Sequence, residues 1–391
     1  MKIMHIGNLK SGIDTYVRNT VALASDEFDF VIVNGADDNS EPYMRHGEPL
    51  RQYSTDMYRK LNPWKDMKAV MQAIRIIKKE KPDLVHCHSA KGGVIGRFAA
   101  FLTGRKSVYT AHAFSFLSAE SSKKQKVFLT LEKISKLDSV LLGCSNSERK
   151  LGIEQVGYKE KNAFAWNNAI PRIQEKDILE PDETIRHEKY VISIGRPSYQ
   201  KNPLLMVETM RRVHEKHPEV KFYLVGVGFY SPMLDGTKAL ISEYGLDNYF
   251  IMVPWLRHSE TLGYLKYAQV YLTTSLYEGL PIAVLEAMAM GKPIVSSDVL
   301  GNNDCVKDGE NGYLLPMDAD KMATAISRLL EDEALREKMG KASIEVFEKV
   351  DFPQLLKLGL NKNKIKDESK GKQINKENGI DEEDNENNSF N

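Results

Sequence analysis

Two hydrophobic rhythms alternate along this chain. Short runs rich in Val, Ile and Tyr read as buried strands: KIMHIG (2–7), DFVIVNG (29–35), LVHCHS (84–89), SVYTAH (107–112) and SVLLGCS (139–145). Longer amphipathic stretches at 15–25, 65–81 and 122–136 read as the helices between them. After a charged, Pro-bearing stretch at 169–189 the rhythm restarts. YVISIGR (190–196), KFYLVGVG (221–228), YFIMVP (249–254), AQVYLTTS (268–275) and KPIVSSD (292–298) are the next strands, with helices at 203–216 and 281–290 among them. Strand–helix alternation of this kind predicts α/β domains with doubly wound parallel sheets.

The expected organisation is therefore two tandem Rossmann-like domains facing a cleft. They span 1–168 and 190–360, with a linker at 169–189, closing helices from 319 to 360 and a disordered polar tail at 361–391. That tail ends DEEDNENNSFN and has too few apolar residues to offset its ordering entropy. A length of 391 residues fits two domains. Three cysteines, none spaced C-x-x-C, exclude a disulfide framework or a cysteine-rich zinc module. The first residues lack the apolar core of a secretion signal, and no run is long enough to span a bilayer, so a cytoplasmic location is expected.

The 54 basic and 54 acidic residues are unevenly placed. Residues 1–168 carry a balance of +8, residues 169–360 one of −6, and the tail one of −2. The basic half lacks the clustered Arg and aromatics of a nucleic-acid binder, so no nucleic-acid partner is expected. Within it, SSKKQKVFLTLEKISKL (121–137) reads as an amphipathic helix with a stripe of Phe128, Leu131, Ile134 and Leu137, surrounded by Lys123, Lys124, Lys126, Lys133 and Lys136. Such a helix either packs on its own sheet or meets an acidic membrane surface.

Three motifs carry chemistry. In YEGLPIAVLEAMAMG (277–291), Pro281 suits the first position of a helix and Gly291 its stop. Glu286 then has only apolar helical neighbours, so it must find a partner. An Arg or Lys elsewhere is the bland expectation, and a vicinal diol the functional one. Glu278 stands at the helix mouth, where the backbone amides from Gly279 to Ile282 suit phosphate or sugar oxygens. IGRPSYQKN (194–202) places Arg196 and Lys201 in one strand-end loop, as a diphosphate would need. GVG (226–228) lacks the third glycine of a dinucleotide fingerprint, which disfavours a nicotinamide enzyme.

Together these segments resemble the retaining glycosyltransferases of family 4, which have the GT-B fold. The Glu278-x7-Glu286 spacing looks like that family's signature, with G-R…K at 195–201 and VGVG at 225–228 in the expected order upstream. DLVHCHS (83–89) and YTAHAFSF (109–116) are similar to segments of bacterial capsule and exopolysaccharide transferases. The resemblance implies a catalytic set of His112, Glu278, Arg196 and Lys201. It implies a donor-binding set of Gly12, Gly195, Arg196, Lys201, Glu278, Gly279, Leu280, Pro281 and Glu286. Arg196 and Lys201 would hold the diphosphate, Glu286 the ribose hydroxyls, Glu278 the transferred sugar, and His112 would face that sugar across the cleft. The sequence departs from the family where glycine is usual: Lys10-Ser11-Gly12 in the first loop, Ala113 after His112, and Asn202 after Lys201.

The function so implied is transfer from a nucleotide-diphosphate sugar, UDP- or GDP-linked, to a glycan or lipid-linked acceptor, with no cofactor and no metal. A nucleotide-sugar epimerase of the same fold and a non-catalytic nucleotide-sugar binding protein are the alternatives. Asp318-Ala319-Asp320 resembles a metal motif but precedes a helical run, where an aspartate caps. His86-Cys87-His88 has no further metal ligand nearby in sequence and reads as a strand end reaching the cleft.

Overall fold

In the computed structural model, residues 1–349 are described apart from 11, 37–40, 59–61, 120, 169 and 229–230. The expected tail at 361–391 and the end of the closing helices lie outside the described residues.

The first sheet has seven strands: β1 (Lys2–Ile6), β2 (Asp29–Gly35), β3 (Arg51–Thr55), β4 (Leu84–His88), β5 (Lys106–Thr110), β6 (Val140–Gly143) and β7 (Ala163–Ala165). They pair in the order β3-β2-β1-β4-β5-β6-β7, every pair parallel. The second sheet holds β8 (Tyr190–Ile194), β9 (Lys221–Val227), β10 (Phe250–Pro254), β11 (Val270–Thr273), β12 (Ile294–Ser297) and β13 (Gly312–Leu315). Its order is β10-β9-β8-β11-β12-β13, again wholly parallel. Both sheets thus repeat the Rossmann order and reverse direction at their first strand.

Parallel strands bury both faces, which explains why the central ones read as nearly unbroken apolar runs. Tyr190 and Ile192 pack into one core of the second sheet, and Val191 between them packs into the other. Each such side chain contributes about 1.5–3 kcal/mol on leaving water. The three cysteines are buried and free.

Local signals place the helices. Asn62 caps Pro63–Glu80 by accepting from Lys65 N, and Ser145 caps Asn146–Leu151 by accepting from Glu148 N. Asp318 caps Ala319–Glu331, accepting from Asp320 N and Lys321 N, while Asp320 pairs with Arg212. Pro281 departs from expectation. Its ψ of 114° keeps it extended, so it occupies the N-cap position and the helix runs Ile282–Ala289. Residues 170–189 are no loose connector, since Ile173, Ile178 and Ile185 pack on the second core and Leu179 N donates to Ser259 O.

The amphipathic helix Ser122–Ser135 is turned differently from the expected stripe. Phe128 and Leu129 pack against the first core, but Val127, Leu131 and Ile134 are exposed and Leu137 is half-buried. The same helix buries Glu132 and Ser135, because both bind the fully buried Arg97, at 3.0 and 2.9 Å. Arg97 also reaches Gly93 O and Tyr158, and Tyr109 donates to Glu132. A polar network faces inward here, and an apolar strip ringed by lysines faces out.

Candidate active site

In sheets of this order a ligand site forms where neighbouring strands send their following loops apart. In the second sheet that point lies between β8 and β11. The loop after β8 carries Gly195, Arg196 and Lys201, and the loop after β11 carries Glu278 and Gly279. Leu276 N donates to Gln200 O, and Thr274 donates to the carbonyls of Lys201 and Asn202. Lys201 Nζ then stands 2.7 Å from Glu278 Oε1. Ser275 donates to the same oxygen at 2.7 Å, and Gln200 Nε2 to Oε2 at 3.0 Å. Glu278 is buried, with a hydrogen-bond donor on each carboxylate oxygen.

Gly195 has φ 150°, and a Cβ there would stand 3.1 Å from Lys201 Cε, so glycine lets the lysine fold back over the loop. Asn202 has φ 49°, the left-handed region where asparagine is the usual substitute for glycine. That departure from the family pattern is therefore conservative in backbone terms. Arg196 is half-buried on the same loop.

The helix Ile282–Ala289 starts beside this cluster. Val284 and Leu285 both donate to Pro281 O, and no side chain caps the helix, so its first amides are left for another acceptor. Glu286 is buried in its middle, and His258 Nε2 is 2.8 Å from Oε1. The expected Arg or Lys partner is thus a histidine, from the start of the helix His258–Tyr267. Among the described residues Oε2 has no hydrogen-bond donor. The carboxylate raises His258 above its ordinary range, against a smaller effect of burial.

The strand ends of the first sheet meet this cluster directly. A Cβ on Gly279 would stand 2.5 Å from Cys144 Sγ, 3.0 Å from Ala113 N and 3.3 Å from the His112 carbonyl carbon. Only glycine permits that approach. Asn168 Nδ2 donates to Leu280 O at 2.6 Å, and Ser147 N and Oγ both donate to Asp304. His112 and Ala113 lie at φ 52° and 75°. Alanine is strained there by about 1–3 kcal/mol. The turn is held because Glu148 accepts from Ala113 N and Cys144 N, each at 2.7 Å. Burial raises the Glu148 carboxyl, with those hydrogen bonds opposing. Gly12 opens the helix Gly12–Leu23, and a Cβ there would meet nothing within 4 Å.

His86 and His88 are less isolated than the sequence implies, because β1 pairs with β4 and brings His5 alongside them. His88 Nδ1 in turn lies 3.1 Å from His112 Nε2. Glu148, His258, Asn168 and Asp304 carried no motif and emerge only from the fold. His258 is the one with a local hint, as a strand-end residue after β10.

Residues 11–151 match a family described as a glycosyl transferase 4-like domain, and residues 175–346 match glycosyl transferases group 1. An Escherichia coli UDP-Gal:alpha-D-GlcNAc-diphosphoundecaprenol alpha-1,3-galactosyltransferase is 30% identical over 308 residues, covering 73% of this chain and 79% of the relative. The chain belongs to the group 1 glycosyltransferases of the family-4 type. A capsular polysaccharide biosynthesis glycosyltransferase of Staphylococcus aureus, CapM, is 24% identical over 315 residues, or 75% of this chain and 81% of that one. Solved structures agree on the fold of this glycosyltransferase, which is GT-B. Sucrose-phosphate synthase from Thermosynechococcus elongatus superposes with a TM-score of 0.76 at 20% identity, covering 95% of this chain and all of that one. Anabaena HepE in complex with UDP-glucose gives 0.75 at 18% identity, covering 93% and 100%.

Proposed function

We propose that this glycosyltransferase moves a sugar from a nucleotide-diphosphate donor to a hydroxyl of a lipid-linked glycan, keeping the anomeric configuration and using no metal. The observation that carries the reading is the convergence of Arg196, Lys201, Glu278 and an uncapped helix start at the switch point of the second sheet, with the His112–Ala113 backbone packed against Gly279. Arg196 and Lys201 would stabilise the diphosphate as its bond to the sugar breaks, and the amides after Gly279 would add to that field. Glu286 Oε2 would accept from the ribose, with His258 holding Oε1. Glu278 and His112 would contact the transferred sugar from opposite sides, and Gly12 would admit the donor closely.

Residues 1–168 would serve the acceptor and residues 190–360 the donor. A uridine donor is favoured over a guanosine one by the name of the Escherichia coli relative, which specifies UDP-Gal and a diphosphoundecaprenol acceptor. The metal-independent reading is supported by Asp318 and Asp320, which are engaged in capping and in an ion pair. The resemblance to family 4 supports retention through a front-face path, in which the leaving phosphate takes the acceptor proton.

No helix among the described residues is long and apolar enough to cross a membrane. Peripheral contact with the acidic inner face of the cell membrane is proposed instead, through Val127, Leu131 and Ile134 with Lys123, Lys124 and Lys126. The names of the relatives, transferases throughout, count against an epimerase or a silent binding protein.

The test is a thermal-shift panel of UDP, GDP and their sugars, followed by transfer to a polyprenyl-diphosphate-linked sugar with and without chelator. Stabilisation by a nucleotide diphosphate and chelator-resistant transfer are expected. Transfer abolished by chelator, or sugar epimerised without acceptor, would overturn the reading.

A further inference from the structure

Behind His112 the first sheet holds a row of imidazoles that the proposed reaction does not use. His5 Nδ1 stands 2.8 Å from His88 Nε2, and His88 Nδ1 stands 3.1 Å from His112 Nε2. Their rings lie edge to edge with planes only 18° and 28° apart and centroids at 5.1 and 5.3 Å, and Tyr16 packs edge-on against both His88 and His112. His86 stands aside from the row, bonded through Nε2 to Thr110 at 2.9 Å. Burial pushes all four imidazoles far down, His5 and His112 to about 3, so each ring is neutral and carries one proton.

Counting those protons decides which way the row points. Each of the two nitrogen–nitrogen contacts needs one proton, and three rings supply three. The third must sit at one end, on His5 Nε2 or on His112 Nδ1. His5 Nε2 is buried and has no hydrogen-bond partner among the described residues. A buried N–H without an acceptor is rarer than a buried lone pair without a donor. His5 Nε2 is then the bare nitrogen. His5 Nδ1–H donates to His88 Nε2, His88 Nδ1–H donates to His112 Nε2, and the last proton stays on His112 Nδ1, at the far end of the row.

We infer that His88, backed by His5, is a positioning residue that fixes His112 as its Nδ1–H tautomer, so that His112 offers a hydrogen-bond donor to the sugar. The inference rests on the proposed placement of His112 at that sugar. The nitrogen bonded to the row is what sets the proton on the other one. His112 so held is no general base through Nδ1, and it selects a donor sugar that turns an oxygen lone pair toward it. A metal held by His5, His86 and His88, whose ring nitrogens cluster within 4.8 Å, is the competing use of these residues. The 2.8 Å between His5 Nδ1 and His88 Nε2 is a hydrogen-bond distance. Two nitrogens on one tetrahedral zinc, each at about 2.0–2.1 Å, would stand roughly 3.3 Å apart.

The experiment is long-range proton–nitrogen correlation on the full chain labelled with 15N-histidine, without ligand and at neutral pH. His112 is assigned by the signals lost in His112→Gln. Wild-type His112 is expected to show a protonated Nδ1 and a bare Nε2. His88→Leu should shift it toward the Nε2–H form, and His88→Gln, which can accept from His5 and donate to His112, should keep it. In transfer assays His88→Leu should lose roughly 10–100-fold in kcat at little change in donor KM, the size of loss seen when the outer hydrogen-bond partner of a metal-bound histidine is removed. His88→Gln should recover most of that loss. A wild-type His112 protonated on Nε2, or stoichiometric zinc in the purified chain, would overturn the inference. An Nδ1–H His112 in an enzyme indifferent to His112→Gln would uphold the tautomer and remove the functional reading beneath it, so the two failures are separable.

Discussion

Lys201 Nζ lies 2.7 Å from Glu278 Oε1, although the two residues follow different strands of the second sheet, β8 and β11. The carboxylate holds the ammonium over the loop that starts at Gly195, so the cation is placed before any donor arrives. An entering diphosphate would share Lys201 with Glu278 and Arg196. In the proposed reaction, preplacing the charge would avoid reorganisation at the moment the sugar–phosphate bond breaks.

Arg196→Ala and Lys201→Ala should therefore lower kcat more than they raise the donor KM. Losing one preorganised donor of this kind costs about 2.7–4 kcal/mol, or 10²–10³-fold in turnover. Lys201→Ala also strips a buried carboxylate of its cation, so the double variant Lys201→Ala, Glu278→Gln separates the fold from the chemistry. Steady-state kinetics beside melting curves make the check. Wild-type turnover in both single variants would place the diphosphate elsewhere.

Glu286→Gln should leave a folded chain with weakened nucleotide binding, because an amide cannot accept as a carboxylate does. The His258 partner adds a pH signature. Its pKa is raised in the folded state by Glu286, so the pair's contribution to stability is complete below the ordinary value of about 6.5 and is lost as pH rises through the raised value. Between pH 6 and pH 9 the wild-type Tm should fall more than that of His258→Gln. Parallel curves would show that the pair carries no linkage.

Arg97→Met should destabilise the first domain strongly. It leaves Glu132 buried without its cation, and removing one partner of a buried pair costs about 3–5 kcal/mol. Urea unfolding gives the number. A loss under 1 kcal/mol would mean that Tyr109 and water satisfy the carboxylate unaided.

The same network turns the apolar strip of helix Ser122–Ser135 outward, and this sets the membrane prediction. Vesicles with acidic lipid should bind the enzyme at low salt and release it at high salt, since each lysine near the surface adds about 1 kcal/mol that ions screen. Changing Lys123, Lys124 and Lys126 to Glu should abolish sedimentation and spare nucleotide binding. Leu131→Ser should weaken it with less dependence on salt. No sedimentation with acidic vesicles at low salt would point to an acceptor reached in solution.

Strands with apolar runs were legible in the sequence because parallel pairing buries both faces; DFVIVNG coincides with β2 end to end. Of the four edge strands only Phe250–Pro254 was legible. Arg51–Thr55 reads RQYST, polar enough to pass for a loop, and Ala163–Ala165 has three residues. That Gly195, Arg196 and Lys201 share one strand-end loop was legible because its backbone and charge demands fall within a few positions of one another. Glu148, Asn168 and His258 were not, since each has a partner far along the chain, Ala113, Leu280 and Glu286, 28 to 112 residues away. The outward turn of helix Ser122–Ser135 also escaped periodicity, because an inward Glu132 makes sense only once Arg97 is seen beneath it.

The most direct test of the whole account is the anomeric configuration of the product. The purified enzyme, its nucleotide-sugar donor and a polyprenyl-diphosphate-linked acceptor are followed by proton NMR from the first turnovers. The new glycosidic bond is expected to keep the anomeric configuration of the donor used, and Lys201→Ala to slow its appearance by about 10²-fold or more. A product of inverted configuration, or an unchanged rate in Lys201→Ala, would contradict the proposed function.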